Sequence, residues 1–172
     1  QILDNGPGNG GVYRSIDSGT TWIPLMKYGY IGAIAAKDST LFAGMGIQGM
    51  GVYRSLNNGG NWSLVQKGLE YAPKYFPAIQ CLAVGGTTVY LGCEVGAYRS
   101  TDKGEHWEAI NTGITNTNVT CLIATGSTVF AGTTGGGVYR SDDNGTTWIP
   151  KDSNIISTDI LSMAISGTTL YV

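Results

Sequence analysis

The side chains able to do acid–base, nucleophilic or metal chemistry are few and poorly spaced. His106 is the one histidine of the chain. It sits in Asp102-Lys-Gly-Glu-His-Trp107, a turn-like segment, so a Ser-His-Asp or Cys-His system has no imidazole base to use. Cys81, Cys93 and Cys121 are odd in number and form no Cys-x-x-Cys spacing, which predicts neither a disulfide framework nor a zinc site. Gly6-x-Gly8-x-x-Gly11 spells a dinucleotide fingerprint, but Val12-Tyr13-Arg14 after it reads as a strand. Without a helix N-terminus the motif has nothing to hold a pyrophosphate. Asp142-Asp143-Asn144-Gly145 starts as a calcium loop would, then lacks the spaced acids and closing Glu. No cofactor and no metal are expected from these residues.

Composition narrows the classes further. Charged residues make up 13% of the 172 and the net charge is −2, which supplies no basic surface for nucleic acid or an anionic membrane. No apolar run approaches ~20 residues, so no helix inserted in a membrane is expected. With 42% apolar residues the chain is too hydrophobic for a disordered segment. Its 27 glycines would weaken helices throughout, at ~1 kcal/mol each relative to Ala. Residues 1–172 are expected to form one domain, or an excerpt of one.

The elements that must position any site come from a repeat. GVYRSIDSGTTW (11–22), GVYRSLNNGGNW (51–62), GAYRSTDKGEHW (96–107) and GVYRSDDNGTTW (137–148) align without gaps. Their tryptophans, Trp22, Trp62, Trp107 and Trp148, are 40, 45 and 41 residues apart. A weaker unit lies between them, at 31–44, 79–92, 119–132 and 160–172. Its first half is an apolar run such as Ile79 to Val84, the pattern of a strand covered on both faces. Cys81 and Cys121 share one position of this run with Ala33 and Ser162, which predicts a small side chain in the core. A turn and a second strand such as Thr88–Gly92 follow. Gly-Val-Tyr-Arg-Ser makes the third strand and the stretch after Trp the fourth.

Four short antiparallel strands per ~42 residues predict an all-β chain of β-propeller blades. The chain opens on third and fourth strands (11–25) and closes on first and second strands (160–172). Two arrangements satisfy that phase. The C-terminal strands 160–172 pair with the N-terminal strands 11–25 and close a ring of four, or the chain is an excerpt of a larger propeller. Further blades or a second copy would then complete the ring.

Ser-x-Asp-x-Gly-x-x-Trp resembles the Asp-box, or BNR repeat, of sialidases, xyloglucanases, sortilin-type receptors and photosystem II assembly factors. The matching residues are Ser15, Asp17, Gly19 and Trp22; Ser100, Asp102, Gly104 and Trp107; and Ser141, Asp143, Gly145 and Trp148. The second copy keeps Ser55, Gly59 and Trp62 and replaces the acid with Asn57. The resemblance implies a propeller whose boxes lie on hairpins of the third and fourth strands, away from the binding face, with a structural role. Four arginines, Arg14, Arg54, Arg99 and Arg140, occupy one equivalent position, which also predicts a structural use. Sialidases of this class instead clamp a carboxylate with three arginines from different positions and carry Arg-Ile-Pro. Here Ile23-Pro24 and Ile149-Pro150 follow Trp.

The opposite face, built from fourth-to-first connections and second-to-third turns, is expected to bind. It collects Tyr28, Tyr30, Tyr71, Tyr75 and Phe76, together with the soft apolar loop from Met45 to Met50. Tyrosine joins a flat apolar ring to a hydroxyl and suits sugars or peptide segments; packing over the seams between blades is the other use of these rings. The acids expected near this face are Asp4, Glu70, Glu94, Asp152 and Asp159. Glu94, in Leu91-Gly-Cys-Glu-Val-Gly-Ala-Tyr-Arg99, is similar to a xyloglucanase segment that carries a catalytic Asp. The resemblance also implies that the second acid comes from another propeller. The expectation is a non-catalytic module, extracellular or at the cell surface, that binds a glycan or a protein. The alternative is part of a glycoside hydrolase of xyloglucanase or sialidase type.

Overall fold

The computed structural model describes residues 10–27, 29–46, 51–70 and 76–172. The chain is all-β. Its strands are β1 (Val12–Arg14), β2 (Ile23–Met26), β3 (Ile31–Lys37), β4 (Thr40–Met45), β5 (Val52–Ser55), β6 (Ser63–Leu64), β7 (Ile79–Gly85) and β8 (Thr88–Cys93). They continue as β9 (Gly96–Ser100), β10 (Glu108–Ala109), β11 (Val119–Thr125), β12 (Thr128–Thr133), β13 (Gly137–Ser141), β14 (Ile149–Pro150), β15 (Ala164–Ser166) and β16 (Thr169–Tyr171). Three four-stranded antiparallel meanders form, β3-β4-β5-β6, β7-β8-β9-β10 and β11-β12-β13-β14. A two-stranded sheet lies at each end, β1-β2 and β15-β16.

Local chemistry accounts for the blades. First and second strands are joined by two-residue turns whose leading residue is left-handed, Asp38 (φ 53°), Gly86 (60°), Gly126 (61°) and Gly167 (58°); such a turn matches the twist of the strands it joins. Each full blade also carries a register shift at one point of its first strand, at Ile31/Ala33, Ile79/Cys81 and Val119/Cys121. A bulge repeated in this way re-aims one side chain per blade. At the bulges, Gln80 gives its amide N–H to Asn118 Oδ1 over 2.8 Å and the Thr120 hydroxyl donates to the Ile160 carbonyl, each reaching toward the following blade.

The core lies in the seams between sheets. One cluster joins Phe42, Val52, Val65 and Leu69 to Ile79, Leu91, Tyr98 and Trp107. A second joins Tyr90, Ala97 and Ile110 to Val119, Val129, Tyr139 and Trp148. A third seats Val12 and Met26 of the first half-blade on Ala43 and Met45. The glycine of the second strand makes this closeness possible. A Cβ on Gly44 would lie 2.4 Å from the Ile79 side chain, on Gly92 2.6 Å from Val119, and on Gly132 2.5 Å from Ile160.

One feature differs from the sequence reading. Residues 160–172 were expected to contribute two full strands, and only Ala164–Ser166 and Thr169–Tyr171 are extended. Among the described residues β1-β2 and β15-β16 are separate sheets. The last hairpin has no third and fourth strands paired beside it there, whereas β7 and β11, each extended over seven residues, belong to four-stranded sheets.

Gly44→Ala forces a methyl into the Ile79 side chain and is expected to destabilise the fold by ~1–3 kcal/mol. Trp107→Ala empties a seam and is expected to cost ~3–5 kcal/mol. Chemical denaturation of each variant measures both, and a Gly44→Ala chain as stable as the parent would contradict the seam geometry.

Candidate functional site

The repeated turns lie at one end of the blades, between third and fourth strands, and their polar groups are turned inward. In all four, the serine Oγ accepts the glycine N–H, at 2.8, 2.8, 2.7 and 2.8 Å in Ser15, Ser55, Ser100 and Ser141. The same hydroxyl donates to the side-chain oxygen two residues on, at 2.7 Å in Ser15–Asp17, Ser100–Asp102 and Ser141–Asp143 and at 3.0 Å in Ser55–Asn57. That oxygen accepts the N–H of Thr21, Asn61, His106 or Thr147 at 2.9–3.0 Å. Gly19, Gly59, Gly104 and Gly145 hold φ between 85° and 90°, a conformation glycine adopts without penalty. Asn57 serves because its amide oxygen accepts as a carboxylate oxygen does.

The acids in these turns are stabilised as anions. The Thr21 hydroxyl and N–H, with the Ser15 hydroxyl, hold Asp17 down to about 2, and Thr147 and Ser141 do the same for Asp143. For Asp102, partial burial acts upward, but the His106 N–H and Ser100 hydroxyl prevail and the net shift is downward. A general acid near neutral pH requires the opposite shift. His106 is exposed and contributes its backbone N–H to the turn.

Each turn also joins blades. The ring of Trp62, Trp107 or Trp148 enters the preceding blade. Trp62 Nε1 donates to the Leu25 carbonyl at 3.1 Å, Trp107 to Val65 at 3.0 Å and Trp148 to Ile110 at 2.7 Å. The arginine reaches the other way, into the next blade's turn: Arg14 to the Asn58 carbonyl at 3.3 Å, Arg54 to Lys103 at 2.7 Å and Arg99 to Asn144 at 2.9 Å. The thiols are no nucleophiles either. Burial raises Cys81 and Cys121 and pushes Cys93 up to about 12.

The opposite end is the candidate binding face. Tyr28, Tyr71, Tyr75, Asp4 and the segment 47–50 lie outside the described residues. Tyr30 is half exposed at the mouth of the first connection, and its carbonyl accepts the Gly46 N–H at 2.7 Å. Phe76 is half-buried and packs on the seam of Ile79 and Trp107. Met45 is buried in β4 rather than offered to a ligand, because the N-terminal half-blade covers it. Glu94 lies in the turn between β8 and β9 and accepts the Ala78 N–H at 3.3 Å, at the end of the connection that leads into β7. Glu70 accepts the Gly68 N–H at 2.8 Å in the same connection. Both carboxylates thus hold backbone in place.

Of the residues four after Trp62, Trp107 and Trp148, Gln66 and Asn111 escaped the sequence reading, whereas Asp152 was expected near this face. Gln66, Asn111 and Asp152 lie over the left-handed glycines that open third strands, Gly51, Gly96 and Gly137. Asn111 Oδ1 accepts the Ala97 N–H at 2.8 Å. Their shared offset from Trp was the available signal. Neighbouring loops are joined as well: Gly135 and Gly137 give N–H to the Thr158 carbonyl at 3.0 and 2.9 Å, and Thr134 to Asn118 at 3.0 Å. The described part of this face thus carries Glu70, Glu94 and Asp152 among amides and hydroxyls, and backbone bonds from Gly135 and Gly137 to Thr158 link it to the segment before β15.

By sequence, no family and no curated protein matches the chain. Its fold is similar to solved β-propellers. YCF48 from Cyanidioschyzon merolae superposes with a TM-score of 0.56 at 15% identity, over 70% of this chain and 36% of that one. A YCF48 structure bound to a D1 peptide gives 0.52 at 18% identity, over 78% and 46%. The GH74 xyloglucanase from Xanthomonas campestris gives 0.57 at 21% identity, over 82% and 27%. The computationally designed Ika8 protein gives 0.60 at 11% identity, over 88% and 46%. The chain thus spans between about a quarter and a half of the length of these structures.

Asp17 and Asp143 have folded-state values near 2, below the ~3.9 of an unfolded Asp. Their contribution to stability is complete above pH ~4 and is lost as the pH falls through about 2. Carboxyl NMR titration is expected to place both near 2, and Asp17→Asn is expected to flatten the acid limb of the stability curve. Ordinary titration near 4 in the folded chain would show that the turns do not hold the anion.

Proposed function

We propose that this chain is a non-catalytic β-propeller binding or scaffold module that engages an extended protein segment on its loop face, and that its repeated turns are Asp-boxes. The observation that carries the reading is the state of the acids. On the loop face Glu70 and Glu94 hold backbone amides, while the face offers an exposed tyrosine, amides and hydroxyls. Such a surface recognises ligands by stacking and neutral hydrogen bonds. Extended peptide is the ligand class favoured by these groups, and the similar fold of YCF48, which has been seen with a D1 peptide, supports it. A glycan uses the same chemistry and is the other ligand to be tested. We place the module outside the cell or on its surface, consistent with its low charge.

A hydrolase reading keeps one supporting observation, the position of Glu94 in a second-to-third turn of a fold similar to a GH74 xyloglucanase. Glycosidases of the usual kind need a second carboxyl group ~5–9.5 Å away.

Binding of the full chain to peptide and oligosaccharide panels tests the proposal. Tyr30→Ala, Tyr71→Ala and Tyr75→Ala are each expected to weaken binding by up to ~10-fold without loss of fold. Unchanged affinity in all three variants would remove the face from consideration. Cleavage of xyloglucan by the parent chain, abolished by Glu94→Gln, would replace the binding reading with the hydrolase.

A further inference from the structure

The repeat gives every position a set of equivalents, and a residue that departs from them calls for a separate reason. The turn between first and second strands reads Gly85-Gly86, Thr125-Gly126 and Ser166-Gly167 in three copies, but Lys37-Asp38 in the other. The left-handed residue of the turn between third and fourth strands is Ser18, Asn58 or Asn144 in three copies, but Lys103 in the other, with φ 60°. Asparagine adopts that conformation more readily than most residues, so lysine there brings the backbone no advantage.

These three charged residues converge. Lys37, Asp38 and Lys103 line one cavity of about 470 Å³ in the seam between the sheet β3-β4-β5-β6 and the sheet β7-β8-β9-β10, at the turn end. Its floor is apolar, made of buried Phe42 and Val89 with half-buried Val84, and serine and threonine side chains complete the rim. At the same place in the next seam the sheets touch. A Cβ on Gly85 would lie 2.8 Å from Ala124, and Tyr90, equivalent to Phe42, extends its hydroxyl to 3.4 Å from Asn144 Oδ1. In the first seam Lys37 stands where Gly85 does in the second, and its ammonium donates to the Gly86 carbonyl across the gap. Phe42 has no hydroxyl to extend. A long side chain thus holds apart two turns that glycine lets meet.

We infer that this cavity is a small-molecule site, separate from the loop face, for a monoanion with a flat apolar body, that is, an aryl carboxylate. Charge selects the anion. Two lysines and one aspartate leave the lining with one net positive charge. The charges beside it are engaged elsewhere: Arg54 pairs with Glu105 at 2.7 Å, and Asp102 turns its carboxylate into its own turn, where it accepts the His106 N–H at 3.0 Å. A monocarboxylate balances the lining, whereas a phosphate monoester brings excess negative charge. Shape selects the body. The volume falls within the ~300–1,000 Å³ of small-molecule sites. The space is a slot between two packed sheets, with Phe42 on one wall and Val84 and Val89 on the other, and it admits a ring more readily than a branched aliphatic group. Such a ligand touches both blades at once.

Titration of the full chain with naphthoate, followed by calorimetry and amide NMR, tests the inference. The expected result is saturable binding with a dissociation constant below ~1 mM. Amide shifts are expected to concentrate on residues 37–42, 84–89 and 101–103. The neutral naphthalenemethanol is expected to bind at least ~10-fold more weakly. Lys37→Thr and Lys103→Asn install residues that sister repeats use at these positions, so the far-UV spectrum is retained. Each is expected to weaken naphthoate binding by ~10-fold. Thr87→Trp fills the cavity from its rim and is expected to abolish binding without either lysine being changed. Absence of saturable binding, equal affinity for acid and alcohol, shifts centred instead on Tyr30 and Glu94, or indifference to both lysine substitutions would overturn the proposal.

Discussion

Every blade here is held by a contact it cannot make alone. The indole N–H of Trp62, Trp107 or Trp148 ends on a carbonyl of the preceding blade, and the guanidinium of Arg14, Arg54 or Arg99 ends on a carbonyl of the following one. The carbonyls used are at the end of a fourth strand and at the apex of a repeated turn, where no ladder partner is available. A buried acceptor left unpaired costs ~1–3 kcal/mol, so the two long side chains both fill the seam and satisfy it. Tryptophan meets the double demand because it joins a large apolar ring to a single donor. Arginine carries several donors on a flat group that fits between two sheets.

That contact divides the molecule into two ends with different chemistry. At the turn end, serine, acid and glycine are consumed in making a rigid apex that presents one carbonyl outward to an arginine. Acids held near 2 by three hydrogen bonds cannot shuttle protons near neutrality. At the loop end the connections vary in length, backbone bonds join neighbouring loops, and the described side chains include Tyr30, Glu70, Glu94, amides and hydroxyls. A rigid frame with variable loops on one face is a common way for a repeat protein to bind. The low content of charged groups follows from the same cause, since the strands of an interior blade have a neighbour on both faces.

Position within the array decides the environment of chemically identical residues. Trp22 and Trp107 end the same motif, yet one is exposed and the other buried, because among the described residues only the second has a blade before it. Phe42 and Tyr171 stand in equivalent strands and differ in the same way. Solenoid-like arrays behave as chains of nearest-neighbour contacts, so the environment of a repeat is set by the repeats beside it.

The all-β class, the four-stranded blade and the glycine turns were legible in the residues. Each depends on contacts within about ten positions, where spacing and φ preference suffice. The structural use of the arginines was legible as well, from their common position, though not what they reach. The targets of tryptophan and arginine lie 37 to 49 residues away and emerge only when neighbouring blades pack. Tertiary structure likewise decided that Phe76 and Met45 pack into seams and that Glu94 holds the Ala78 amide, since an apolar ring or an acid in a loop looks the same in sequence whether it faces solvent or backbone. The order of short-range turns is written in the chain. Which side chains remain available for a partner is set by the neighbours that each blade acquires.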